Sequence, residues 1–182
     1  MKSITKKYKV INNYVINFKN LSAYAVQSKD IEEIRKWRNN QINILRQNKF
    51  ISKKEQIKYY EENIWTELNK NNPKIILLSI CQEELFLAYG GLVNISWEDK
   101  RAEVSFVAST EIASNELKYN EIFSEYLSLI KFLGFKKLNL NRLFTETYDI
   151  RPKHIMTLEK SGFNQEGTMK SHIIINGEYK NS

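Results

Sequence analysis

Glu103 and Ser105 stand two residues apart in the run Arg101–Ala108, whose apolar positions alternate, so both project from one face of a strand. A carboxylate held there can accept a proton from a bound amine, directly or through water. The plain alternative is a surface carboxylate paired with Arg101 or Lys100, with Ser105 as polar filler beside it. Arg46 and Gln47 follow a helical segment, and an Arg–Gln pair suits a phosphate or a sugar hydroxyl; a surface loop carries such residues equally well. His154 and His172 are the two imidazoles. His172 sits on the strand entering the last hairpin, with a proton or substrate role set against a structural one, and His154 opens the last helix, where structure is the expectation. Cys81, the single cysteine, lies in an apolar run and reads as an inert buried thiol.

One Cys and two His fall short of the four ligands of a structural zinc site, so no metal is expected. No nucleophile–base pair is visible for covalent catalysis. A lone cysteine also excludes an intramolecular disulfide and suits a reducing compartment. Met1 to Lys9 is basic but leads into Asn12 and Asn13 without an apolar core, so no leader is expected and the cytoplasm is the expected location. No run approaches the roughly 18 apolar residues of a membrane span. The net charge of +7 reads as a solvated basic surface or as attraction to a polyanionic ligand such as a nucleotide or coenzyme A. Lys and Arg do not gather on one element and no nucleic-acid motif is present, so neither nucleic acid nor membrane is an expected partner.

At 182 residues the chain is expected to form one domain with one core, after a polar lead-in over residues 1–20. A short strand is expected over Tyr14–Phe18 and another over Ala23–Gln27. Asp30 with Glu33 reads as a capping box opening a helix whose inward face carries Ile31, Ile34 and Trp37, with Arg38 and Asn39 ending it. Ser52 with Glu55 is a second capping box, and that helix is expected to reach Leu68. Lys74–Cys81, Leu85–Ile95 and Arg101–Ala108, joined by short polar turns, make an antiparallel meander. A long helix follows from Glu116 to Leu133, with Gly134 expected just past its end. A strand over Leu138–Glu146, a helix from Pro152 to Gly162, and an extended run from Phe163 lead to Asn176-Gly177, the signature of a type I′ hairpin turn. Tyr148 and Asp149 fall to the turn after the strand. The order β-α-α-β-β-β-α-β-α-β-β implies an α/β mixed sheet, an antiparallel meander beside parallel strands, with helices on both faces.

Several stretches carry a family resemblance. Leu138-Asn139-Leu140-Asn141-Arg142-Leu143 resembles the fifth strand of the GNAT N-acetyltransferases. Thr157 to Phe163 resembles the helix ending of their ribosomal-protein (RimJ/RimL-like) subgroup, and Ile175 to Tyr179 the closing hairpin of the same subgroup. Gly90 to Ile95 and Arg101 to Phe106 are similar to strands of bacterial relatives. Trp37-Arg38-Asn39 and Leu45-Arg46-Gln47 look like segments of relatives that acetylate amino groups on nucleotide-linked sugars. The resemblance runs over roughly residues 23–182.

It implies a fold in which two central parallel strands splay apart and a helix N-terminus receives the pyrophosphate of acetyl-CoA. On that basis Val107, Ala108, Ser109, Lys118, Tyr119, Asn120 and Arg151 are expected at the coenzyme. Glu103 and Ser105 are then expected in catalysis, with Arg46, Gln47 and His172 at a small-molecule amine acceptor. The implied reaction is direct attack of the amine in a ternary complex. Acetylation of a protein N-terminus is a second reading, and a binding module that keeps the fold without tight coenzyme affinity a third. The sequence departs from the family where the glycine-rich loop belongs: Ala113 to Glu121 holds no glycine, and Glu116 and Glu121 would repel phosphate. Leu158 stands where relatives often place a tyrosine, and Arg151 where they place an asparagine. The short last strand further suggests a homodimer in which a partner completes the sheet.

Overall fold

The computed structural model describes residues 4–45 and 47–182. Six strands form one twisted sheet in chain order: β1 (Ile16–Phe18), β2 (Leu21–Ala25), β3 (Ile76–Gln82), β4 (Leu85–Ser96), β5 (Arg101–Ala108) and β6 (Arg142–Phe144). All neighbours are antiparallel except β5 and β6, which are parallel. The expected meander is present, and the helical crossover from β5 to β6 explains the one parallel pair.

The alternation of β5 sends Ala102, Val104, Phe106 and Ala108 to one face and Val107 to the other. On the first face lies helix α4 (Glu116–Lys131), which buries Phe123, Tyr126, Leu127 and Ile130 against the sheet, beside α5 (Pro152–Lys160). On the second lie α1 (Ile31–Asn40), which buries Ile34 and Trp37, and α2 (Lys53–Tyr59), whose capping box forms as expected. The Ser52 hydroxyl accepts the Glu55 N–H at 3.2 Å, and the Glu55 carboxylate accepts the Ser52 N–H at 2.8 Å. Each fully buried Leu, Ile or Phe on these faces contributes about 2 kcal/mol of transfer free energy.

Several boundaries differ from expectation, each for a physical reason. The Asp30–Glu33 capping box does not form, because Asp30 faces the sheet, where its carboxylate accepts the Ser79 hydroxyl at 2.7 Å and the Gln27 N–H at 3.0 Å. After Tyr59 the second helix loosens into a π turn over Tyr60–Ile64 and a 3₁₀ turn over Trp65–Glu67. Gly134 does not follow the long helix but lies inside a π turn (Phe132–Lys137), where an added Cβ would come within 3.0 Å of Leu143. The strand expected over Leu138–Glu146 shrinks to three residues because Leu138 and Leu140 donate their N–H groups to Leu133 and Gly134. A short helix the sequence reading did not expect, α3 (Thr110–Ser114), separates β5 from α4. Of the run from Phe163, only β7 (Ile173–Ile175) is strand; with β8 (Glu178–Lys180) it makes a separate two-stranded sheet. Asn176 and Gly177 take φ of 52° and 82°, as a type I′ turn demands.

Among the described residues no helix is long and apolar enough to cross a membrane, and no cluster of metal-binding side chains occurs.

Candidate active site

The pairing of β6 with β5 ends at Glu103 and Phe144. Beyond that rung the chain is drawn away: the Asp149 N–H bonds to the Asn181 carbonyl at 3.1 Å, and Arg151 closes a turn on Tyr148 at 3.0 Å. The Thr145 hydroxyl, 3.3 Å from the Val104 carbonyl, marks the fork. Between the diverging chains lies a slot of about 240 Å³. Phe123, His154 and Leu158 line it from the α4–α5 side, and Arg38, Ile44 and Leu45 from the α1 side. Walls drawn from both layers mean that the slot crosses the plane of the sheet.

In a parallel pair, residues on one rung point the same way. Phe144 therefore shares a face with Glu103, and Leu143 the opposite face with Ala102. Glu146, Ser105 and Thr147 all line the slot. Thr147 Oγ1 is buried and finds no hydrogen-bond partner among the described residues. Glu103 does not line the slot; it is buried one rung below the fork, where Asn94 donates to its carboxylate at 2.8 Å.

A second, more open cavity of about 660 Å³ shares Leu45 and Tyr148 with the slot on its α1 side. It runs between residues 42–45 and 47–50 on one side and the hairpin residues 173–176 on the other. Asn43, Gln47, Asn48 and Asn176 give it a wall rich in amides, Lys49 adds a cation, and Phe50 and Ile174 are exposed apolar surface. No described lining residue is acidic.

The structure brings together part of the predicted site. Val107 and Arg151 line the slot. Ala108 and Ser109 are engaged elsewhere: the Ala108 carbonyl accepts from Gln41 at 2.9 Å, and Ser109 donates its N–H to Leu87 while its hydroxyl caps α3. Lys118 is exposed on the first turn of α4, and Asn120 accepts from Thr157 at 3.1 Å, tying α4 to α5. Tyr119 lies behind the slot wall, its hydroxyl 2.8 Å from His154 Nδ1 and receiving an Arg151 N–H at 2.7 Å. Burial raises the Tyr119 pKa to about 12 against the opposing pull of Arg151, and burial, reinforced by Arg151, lowers that of His154 to about 2. Gln47 belongs to the open cavity; its side chain accepts from Arg38 at 2.9 Å and donates to Asn39 at 3.0 Å. His172 lies beside the slot, its Nδ1 2.7 Å from the Ser182 hydroxyl and 3.4 Å from Glu146. Arg46 lies outside the described residues.

The sequence reading missed three residues. Arg38, taken as the end of α1, lines the slot and donates to the Tyr89 hydroxyl at 2.7 Å. Glu146 ends the strand expected over Leu138–Glu146 and Thr147 follows it; the strands were expected to splay apart, but no residue type marked where the parting would begin.

The acetyltransferase (GNAT) domain model matches residues 24–182. The chain belongs to the GNAT acetyltransferase family. It is thus an N-acetyltransferase domain that uses acetyl-CoA as co-substrate. No curated protein sequence matches it. Among solved structures, this GNAT domain is similar to spermidine N-acetyltransferase from Vibrio cholerae in complex with CoA and spermine. The two are 18% identical with a TM-score of 0.75, over 90% of this chain and 92% of that one. A dodecameric structure of that spermidine N-acetyltransferase, in an intermediate state, gives 19% identity and a TM-score of 0.71 over 90% and 91% of the two chains. At such identity the likeness is one of fold.

The coenzyme fits one part of the site and not another. The slot, with its unpartnered Thr147 hydroxyl, suits a narrow arm carrying neutral polar groups. The N-terminus of α4 does not suit a pyrophosphate. Its N–H at Lys118 is already bound by the Asn115 side chain at 3.1 Å, and the Glu116 carboxylate occupies its first turn, paired with Lys153.

Proposed function

We propose that this GNAT acetyltransferase acetylates the primary amine of a nucleotide-linked amino sugar, by direct attack in a ternary complex. The observation that carries the reading is the slot itself: lined from the α4–α5 side by Phe123, His154 and Leu158, it shares Leu45 and Tyr148 with the amide-lined cavity on the α1 side. A thioester arm entering from one side and an amine from the other meet at the fork, which supplies the proximity such a reaction needs.

Acetyl-CoA, when bound, supplies the acyl group as a thioester. The side chains account for the rest. Glu146, lining the slot on the acceptor face with His172 beside it, accepts the proton the amine must lose. Ser105 lines the slot wall nearby, and Glu103 lies buried below it, held by Asn94 rather than facing the slot. Arg38, oriented by Tyr89 and Gln47, holds a cationic donor at the acceptor side. Val107 and Arg151 line the slot where the arm would lie, and Lys118 stands exposed for a phosphate.

The acceptor class follows from electrostatics. A polyamine, the substrate class named for the similar Vibrio cholerae enzyme, is a polycation and calls for carboxylates along its path. The open cavity shows amides, Lys49 (paired with Glu55 at 2.8 Å) and the Phe50 ring, on a chain of net charge +7. That combination suits hydroxyls, a flat base and phosphates.

The test is release of free coenzyme thiol from acetyl-CoA with a uridine-diphosphate-linked 4-amino sugar, spermidine or an N-terminal peptide as acceptor. Turnover is expected with the amino sugar, and E146Q should lower kcat about 100-fold while leaving acetyl-CoA affinity within about 3-fold. Turnover with spermidine or the peptide but not the sugar refutes the acceptor class, and an E146Q protein at full rate refutes the proton acceptor.

A further inference from the structure

The polar network behind the slot has a defined direction. Arg151 carries only donors, so the Tyr119 hydroxyl must accept from it at 2.7 Å. That leaves the hydroxyl's own proton for the other neighbour, His154 Nδ1, at 2.8 Å. The opposite tautomer would make Tyr119 accept twice and strand its proton, since it has no other acceptor among the described residues. His154 Nδ1 is therefore an acceptor, and the ring proton resides on Nε2. The imidazole is stacked on Phe123 with centroids 4.3 Å apart, which fixes its plane. His154 lines the slot and Tyr119 does not, so the edge turned away from Tyr119 is the one available to the slot. Nε2 has no hydrogen-bond partner among the described residues, and His154 as a whole is 8% exposed.

We infer that His154, held by Tyr119 and Arg151 as the Nε2–H tautomer, donates a hydrogen bond to a neutral carbonyl oxygen of the coenzyme's thioester-bearing arm. This rests on the reading that the slot receives acetyl-CoA. Thr147 provides independent support, because its buried hydroxyl lacks a partner and lines the same space. An unpartnered buried hydroxyl beside an imidazole N–H calls for a ligand that is itself polar and uncharged, such as an amide. A phosphate would favour an imidazolium there, and burial beside Arg151 opposes that charge. Arg151 acts here as a positioning residue through Tyr119.

Two measurements test the inference. Nitrogen-15 NMR of the histidine rings in the free protein should show His154 protonated on Nε2, and on Nδ1 in a fraction of molecules once Tyr119→Phe removes the lock. Calorimetric titration with acetyl-CoA should show affinity about 10-fold weaker for His154→Ala, the size of one lost neutral hydrogen bond. His154→Gln, which places an amide N–H near the Nε2 position, should stay within about 3-fold of the unaltered protein. The Tyr119→Phe effect should vanish in the His154→Ala background. A proton found on Nδ1 in the unaltered protein overturns the inference. So does acetyl-CoA binding that is unchanged or tighter in His154→Ala, which would make the ring a filler of the slot. An unaltered protein that binds no acetyl-CoA overturns the coenzyme reading as well, whereas normal binding with indifferent variants overturns this inference alone.

Discussion

Burying a neutral imidazole makes stability depend on pH in a way that can be worked out. His154 is almost wholly enclosed, and desolvation, reinforced by Arg151, lowers its pKa from 6.5 to about 2. In the unfolded chain the same ring takes up a proton near pH 6.5. Between those two values the unfolded state binds one proton more than the native state, so stability falls as pH falls. Above pH 6.5 the penalty is absent. From pH 7 to pH 5.5 the linkage amounts to ~1 kcal/mol, and each further unit of acid adds ~1.4 kcal/mol until the native ring itself protonates.

The assay is urea unfolding of the unaltered protein and of His154→Gln, followed by tryptophan fluorescence at both pH values. Every other group is common to the two proteins and cancels in the difference. The expected result is that the difference in unfolding free energy shifts by ~1 kcal/mol against the histidine protein on acidification. A difference independent of pH, or one that shifts the other way, would show that His154 ionises freely in the folded state and refute the argument.

Other outcomes follow from single contacts. Glu116→Gln frees Lys153 and removes a negative charge from the first turn of α4, so acetyl-CoA affinity should rise about 5-fold at low salt. That gain should shrink at 0.5 M salt, at a stability cost of ~0.5 kcal/mol from the lost helix-dipole contact; an affinity that falls would contradict it. Tyr126→Phe strands the Ser105 carbonyl that its hydroxyl meets at 2.5 Å and should lower unfolding free energy by ~1 kcal/mol, read by chemical denaturation. Gly90→Ala would put a Cβ 2.2 Å from the Ser105 carbonyl oxygen and 2.7 Å from the Tyr126 hydroxyl. A loss of ~3 kcal/mol is expected in the same assay, and a loss below 1 kcal/mol would show that β4 and β5 can separate cheaply there.

Much of the architecture was legible because local signals agreed. Alternating runs marked β3, β4 and β5, Ser52 and Glu55 marked a real cap, and Asn176-Gly177 marked a real turn. What escaped was decided by partners distant in the chain. Asp30 has the residue type and spacing of a cap, yet Ser79, forty-nine residues on, claims its carboxylate. The stretch 138–146 alternates like a strand, but its first residues close the end of the long helix and its last ones leave the sheet. The candidate site suffered from the same cause. Glu103 was singled out because it sits in a strand easily recognised, whereas Glu146 and Thr147 acquire meaning only once the pairing of β6 with β5 is known to end at Phe144. Tyr119, Arg151 and His154 were each visible as residue types, but their hydrogen bonds depend on how α4 lies against α5.

The glycine-free segment before α4 and the polar groups in the slot belong to one physical account. A helix N-terminus attracts phosphate through unsatisfied N–H groups and a positive dipole end. Here Asn115 occupies one of those N–H groups and Glu116 answers the dipole, so neither attraction is left at full strength for a ligand. Side chains on Thr110–Ser114 form a helical turn where a bare backbone loop would have let phosphate approach. The free energy that holds a coenzyme must then come from other contacts, and the slot offers them: apolar walls at Phe123, Val107 and Leu158, with the imidazole of His154 and the unpartnered hydroxyl of Thr147 between them. Recognition shifts from the charged end of the coenzyme toward its neutral arm. Such a site depends little on salt where the arm binds, and its remaining salt dependence should trace to Lys118, Lys153 and Arg151, the cations left around the closed helix end.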